Sequence, residues 1–195
     1  MIILASKSPR RREIMEKMGY NFIVTVSDAD ETLPDGISPK KGVEILALRK
    51  AEAVLSLVNK NDIIVCGDTL VDLDGKALGK PKDEKDALDM LMSMSGKTHC
   101  VHTGVAVLCN GEILNSSDTT YVTFRKYSES EALAYVKTGE PMDKAGAYGI
   151  QGLGSALVER VDGDMDTVIG LPSKLVHRYI EEMKYRLHRS GVTAP

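Results

Sequence analysis

Short apolar runs alternate with longer stretches of helical period along this chain, and that alternation predicts an α/β layered fold. Residues 2–5 read as a buried strand. The chain then passes two serines into a helix over 9–18, with Ser8 as N-cap, Pro9 at the first helical position and Gly19 as the stop. Residues 21–27 form a second strand, ending in the acidic turn 28–31. Ser38 and Pro39 open a long helix to about Val58. Residues 62–66 are a short apolar strand leading into Gly67-Asp68-Thr69, which places Asp68 just past a strand's carboxyl end. Asp74-Gly75 turns a hairpin between 71–73 and 76–78, and Gly79-Lys80-Pro81 closes it in extended backbone.

Downstream, 83–94 reads as a helix stopped by Gly96. A second hairpin joins 101–109 to 112–116 through Asn110-Gly111, and 119–125 continues the sheet. Ser128 and Glu131 make a capping box for a helix to Lys137. Residues 140–155 form a glycine-rich loop, 156–161 another strand, 172–187 the last helix, and 190–195 a frayed tail. No repeat or linker interrupts the 195 residues, so one domain is expected, any second lobe being an internal excursion of the chain.

Composition narrows the class. At 43% hydrophobic, 27% charged and a net charge of −3, the chain reads as an ordinary soluble globular protein. Its mild acidity and the absence of an interleaved basic and aromatic stripe argue against nucleic acid. Cys66, Cys100 and Cys109 lack metal or disulfide spacing and read as reduced thiols of a cytosolic protein. No apolar run approaches the roughly 18 residues of a membrane span, and the first strand has no basic leader before it.

Arg10, Arg11 and Arg12 fall in the first turn of a helix, where the helix dipole disfavours cations by about 0.3–1 kcal/mol each. An anion held by free backbone N–H groups and guanidinium forks would compensate; a solvated basic face is the alternative. Arg11 removal is therefore expected to leave stability unchanged or slightly improved. Asp68 suits a divalent cation or an attacking water, or else a plain turn cap. Lys50 lies on the apolar arc of its helix with Val43, Leu46, Ala47, Val54 and Leu57 and needs a counter-charge. A phosphate or a structural carboxylate would supply one, and snorkelling to the edge of the core would serve instead. Lys80 is anchored on a rigid segment, and Asp28, Asp30 and Glu31 offer a second carboxylate for a hard cation. Gly146, Gly149, Gly152 and Gly154 would let backbone approach a ligand closely, with Gln151 suited to a nucleobase edge. His99 and His102 point to opposite faces of a strand and read as structural.

Together these pieces resemble the Maf family of nucleoside triphosphate pyrophosphatases. The resemblance rests on motifs in order: Leu4-Ala5-Ser6-x-Ser8-Pro9-Arg10-Arg11, Asp30-Glu31, Ala47-x-x-Lys50-Ala51, Gly67-Asp68-Thr69, Gly79-Lys80-Pro81, Ser95-Gly96, His99-x-Val101-x-Thr103-Gly104, Lys144-Ala145-Gly146-x-Tyr148-x-x-Gln151-Gly152 and Gly170-Leu171-Pro172. It implies a mixed sheet flanked by helices, two-lobed with a central cleft and similar to the inosine triphosphatase fold. It further implies a cytoplasmic homodimer that cleaves a nucleoside triphosphate to monophosphate and pyrophosphate with Mg²⁺ or Mn²⁺. Asp68 would be the proton acceptor and, with Glu31, a metal ligand. Ser6, Arg10, Arg11, Lys50 and Lys80 would hold the triphosphate, while Arg11, Thr69 and Gln151 would discriminate the base. The form of the glycine-rich loop resembles the branch acting on dTTP and UTP, in a house-cleaning role that extends to modified pyrimidine nucleotides. A nucleotide-binding regulator of cell division without turnover is the competing expectation.

Overall fold

Strict alternation along residues 63–66 sends Ile63 and Val65 to one face of a sheet and Ile64 and Cys66 to the other, and both faces are covered by helices. In the computed structural model, described over residues 1–26 and 28–189, the strands are β1 (Ile2–Leu4), β2 (Phe22–Val24), β3 (Ile63–Leu73), β4 (Lys76–Leu78), β5 (Thr98–Cys109), β6 (Glu112–Phe124) and β7 (Val158–Asp162). The helices are α1 (Pro9–Lys17), α2 (Pro39–Glu52), α3 (Glu84–Met94), α4 (Glu129–Val136), α5 (Met165–Ile169) and α6 (Ser173–Arg189). The sheet is mixed, in the order β2-β1-β3-β5-β6-β7, with β4 pairing off β3. β1 is parallel to both β2 and β3, and every other pairing is antiparallel.

Three apolar clusters follow from this layering. Ile14 and Met15 of α1 and Val176, Ile180 and Met183 of α6 cover the Val65 face. Ala47 and Ala51 of α2 cover the Cys66 face. α2 lies so close to β5 that a Cβ on Gly104 would stand 2.1 Å from the Val43 carbonyl oxygen, so only glycine fits there. The third cluster, with Val71, Leu91, Phe124 and Tyr148, fills the far end of the sheet beneath α3 and α4.

Several boundaries differ from expectation for identifiable reasons. The strand predicted to end at Cys66 continues to Leu73, because β5 pairs with it in unbroken register, Asp68 opposite Gly104. Asp68 is therefore inside a strand rather than past its end. β6 likewise runs without a break across 117–118, bonded to β5 throughout. The helix from Pro39 stops at Glu52, and Leu55–Leu57 is a separate 3₁₀ turn with Leu57 exposed. β2 keeps only three residues of the predicted 21–27, and position 27 lies outside the described residues, as does the tail 190–195. β7 sits slightly downstream of the predicted 156–161, and the one-turn helix α5 carried no expectation. The capping box at Ser128 and Glu131 and both hairpin turns form as predicted.

Candidate active site

The cleft opens where β1 ends. Ala5 N–H donates to the Val65 carbonyl at 2.8 Å, after which the chain turns toward Ser8 and leaves the next residues of β3 without a parallel neighbour. They face a cavity of about 1000 Å³ lined by the Ser6–Arg11 segment, Glu31, Lys50, Lys80 and the glycine-rich loop. Alternation in β3 now does chemical work, putting Asp68 on the α2 face and Thr69 on the α1 and α6 face.

Asp68 is buried, and its Oδ1 accepts from Lys50 Nζ at 2.5 Å. Glu31 Oε1 lies 2.8 Å from the same ammonium. Burial pulls the lysine's pKa down, but the two carboxylates outweigh it and hold Lys50 above its ordinary value. The inward lysine thus has two protein carboxylates as counter-charges. Asp68 Oδ2 makes no hydrogen bond among the described residues. Asp28 meets Lys7 at 3.4 Å, and Asp30 turns aside to accept from the Thr32 N–H.

The arginine turn resolves residue by residue. Arg11 Nε donates to the Gly170 carbonyl at 2.7 Å, Nη1 to Ser6 Oγ at 3.2 Å and Nη2 to Thr69 Oγ1 at 3.2 Å. Arg10 Nη1 stands 3.5 Å from Asp143 Oδ2, and Arg12 pairs with Glu16 at 2.8 Å away from the cleft. All three cations have protein acceptors, so an anion is not required to balance the turn. These contacts argue against the expectation that Arg11 removal leaves stability unchanged: its guanidinium ties α1 to β3 and to the end of α5.

Hydrogen-bond direction at Thr69 follows from counting protons. Thr103 Oγ1 gives its proton to the Thr167 carbonyl at 2.7 Å, so Thr69 must donate across the 2.9 Å contact to Thr103. Thr69 also accepts from Arg11, which leaves its oxygen able only to accept from anything in the cleft. Lys80 sits exposed on the rim, its segment tied to the glycine-rich loop by Gly146 N–H to the Gly79 carbonyl at 3.0 Å. Gln151, on the glycine-rich loop, is exposed and also lines the cleft. The structure thus gathers Ser6, Arg10, Arg11, Glu31, Lys50, Asp68, Thr69, Lys80 and Gln151 around one cleft.

Two acidic residues of this region were not foreseen. Asp143 joins Arg10 to Lys144, whose Nζ lies 2.6 Å from Asp143 Oδ1. Glu140 accepts hydrogen bonds from the backbone of Leu153 and Gly154. Their available signal was being the acidic residues at the head of a loop whose glycines leave backbone donors uncovered. His99 and His102 are structural as expected, His99 bonding Tyr148 OH at 2.9 Å and His102 bonding Thr119 at 2.8 Å and Asp72 at 3.3 Å.

A model of the family described as Maf-like protein matches residues 1–183. A dTTP/UTP pyrophosphatase of Desulfitobacterium hafniense (strain Y51) is 49% identical over 183 residues, covering 90% of this chain and 82% of its own. A dTTP/UTP pyrophosphatase of Bacillus pumilus (strain SAFR-032) is 43% identical over 180 residues, covering 92% and 95%. Among solved structures, the Staphylococcus aureus Ham1 protein shares the fold with a TM-score of 0.52 at 15% identity, covering 93% of this chain and 98% of its own.

Proposed function

The chain belongs to the Maf-like protein family, and from that premise we propose that it hydrolyses dTTP and UTP to the monophosphate and pyrophosphate. The observation that carries the reading is Asp68, the buried carboxylate on the floor of a cleft whose rim carries Arg10, Arg11, Lys50, Lys80 and Lys144 beside the more exposed carboxylates Asp28, Glu31, Glu140 and Asp143. A module that only held a polyanion gains nothing from an aspartate there, since it repels the phosphates. A hydrolase needs one.

The chemistry divides among the residues present. The triphosphate lies against Arg10, Lys50 and Lys80, whose positive charge offsets the charge that builds on the departing pyrophosphate. Ser6 and Arg11 support that bed from below. Asp68 Oδ2, the oxygen that Lys50 does not engage, takes a proton from the attacking water. Thr69 and Gln151 face the base.

Asp68 and Glu31 fit a hard divalent cation, because both aim carboxylate oxygens at one point, now held by the Lys50 ammonium. Among the described residues no group of three or more His, Cys, Asp or Glu converges, so Mg²⁺ or Mn²⁺ would complete its shell with water and phosphate oxygens. When bound, such an ion supplies Lewis-acid polarisation of a phosphoryl oxygen.

The reading includes one domain whose cleft separates two lobes, a homodimer and a cytoplasmic setting, all supported by the family resemblance. Among the described residues no helix is long and apolar enough to cross a membrane. Pyrophosphate release from dTTP with added Mg²⁺ tests the proposal. Stoichiometric release of dTMP and pyrophosphate is expected, and tight dTTP binding without turnover would favour a regulator instead.

A further inference from the structure

The glycine-rich loop is held from beneath by a carboxylate. Glu140 Oε2 accepts from the Leu153 N–H at 2.9 Å, and Oε1 accepts from the Gly154 N–H at 3.1 Å and from Tyr135 OH at 2.9 Å. The Tyr135 oxygen in turn accepts from the Gly149 N–H at 3.0 Å. These bonds grip the backbone on both sides of Gln151, whose own side chain is exposed on the cleft.

The glycines match this grip. A Cβ on Gly152 would lie 2.5 Å from Glu140 Oε2 and 2.6 Å from Oε1, and one on Gly154 would lie 2.5 Å from Tyr135 OH. A Cβ on Gly149 would stand 2.7 Å from Lys144 Cε and 3.1 Å from Glu140 Oε1. Their lack of side chains lets the loop close on Glu140 and Tyr135, not only on a ligand.

We infer that Glu140 is a positioning residue for base selection: it fixes the loop over 149–154 so that the Gln151 amide meets the pyrimidine edge in one orientation. The inference rests on the proposed reading that Gln151 contacts the base. An ionised carboxylate is suited to the task because it only accepts, and both its oxygens face only donors. Glutamine at 140 would turn an NH₂ group toward one of those N–H or O–H groups and open the grip at nearly constant volume. Discrimination needs this rigidity, since a mobile amide can turn over to satisfy the wrong base.

The test is a double-mutant cycle on the full chain, reading kcat/KM for dTTP and for dCTP with Mg²⁺, below the melting temperature of each variant. Gln151→Ala is expected to narrow the dTTP to dCTP ratio by roughly 10-fold or more. Glu140→Gln should narrow it by a similar factor, and should add nothing in the Gln151→Ala background. Tyr135→Phe, which removes the hydroxyl's bonds to Glu140 and Gly149 and keeps the carboxylate on Leu153 and Gly154, should narrow it less. It also serves if Glu140→Gln does not fold. If Gln151→Ala narrows the ratio while folded Glu140→Gln or Tyr135→Phe keeps the wild-type value, the inference falls and the base reading stands. An equal effect of Glu140→Gln with and without Gln151 likewise overturns it. If Gln151→Ala leaves the ratio untouched, the base reading itself fails and takes the inference with it.

Discussion

Lys50 and Asp68 meet at 2.5 Å on the cleft floor, one reaching in from α2 and the other standing inside β3. Helix period and strand alternation converge on this contact, since Lys50 lies on the buried arc of α2 and Asp68 shares its face with Ile64 and Cys66. Glu31 completes the group, so one ammonium bridges two carboxylates. The pair orients Asp68 and leaves its second oxygen for the substrate side.

Asp68→Asn keeps the shape and most of the contact to Lys50 but removes the proton acceptor. Turnover of dTTP should fall by roughly 10²–10⁴ while nucleotide binding persists. Steady-state kinetics and a direct binding titration on the same protein check both halves. Near wild-type turnover would remove Asp68 from the role.

Arg11→Ala and Arg12→Ala should separate sharply. Arg11 donates to Gly170, Ser6 and Thr69, so its loss leaves partly buried acceptors unpaired and should cost about 2 kcal/mol of stability along with kcat/KM. Arg12 makes one exposed pair with Glu16, worth well under about 1 kcal/mol. Thermal melts and dTTP kinetics on both variants decide it; equal, small effects would mean the guanidinium bonds of Arg11 contribute little.

Local pattern made much of this legible. The Ser8-Pro9 helix start, the Asp74-Gly75 and Asn110-Gly111 turns and the inward face of Lys50 depend on near neighbours, which a sequence displays. The continuation of β3 through Asp68 was hidden because β5, some thirty residues downstream, imposes it. The arginine turn misled for a related reason: acceptors such as the Gly170 carbonyl and Thr69 lie far along the chain. Glu140 is not legible in the sequence because its partners are two backbone N–H groups and a tyrosine hydroxyl that only the folded loop brings to it.

Base choice follows from donors and acceptors. Thymine and uracil present carbonyl, imide N–H and carbonyl along one edge, and a fixed Gln151 amide can donate to a carbonyl and accept from the imide. Thr69, limited to accepting, is likewise suited to a ligand donor. Cytosine replaces the imide donor with an acceptor and one carbonyl with an amino group. Two mismatches at about 1–3 kcal/mol each predict dTTP over dCTP by on the order of 10²-fold or more. Competition kinetics with the two nucleotides measures it, and equal kcat/KM would sink the idea.

His99 should give the fold an acid sensitivity separate from the catalytic groups. It lies in edge-on contact with Phe124 and Tyr148, and burial pushes its pKa down to about 4. Among the described residues its Nδ1 has no hydrogen-bond partner to repay a charge on the ring. Between pH 6.5 and about 4 the unfolded chain holds a proton on this histidine that the folded chain refuses. Stability therefore rises with pH across that window and falls on acidification, by on the order of 3 kcal/mol in full. His99→Gln removes the titrating ring and keeps a polar group near Tyr148, so its stability should fall less between pH 7 and pH 4.5. Chemical denaturation at the two pH values compares the slopes; parallel losses in both proteins would show that His99 is not the sensing group.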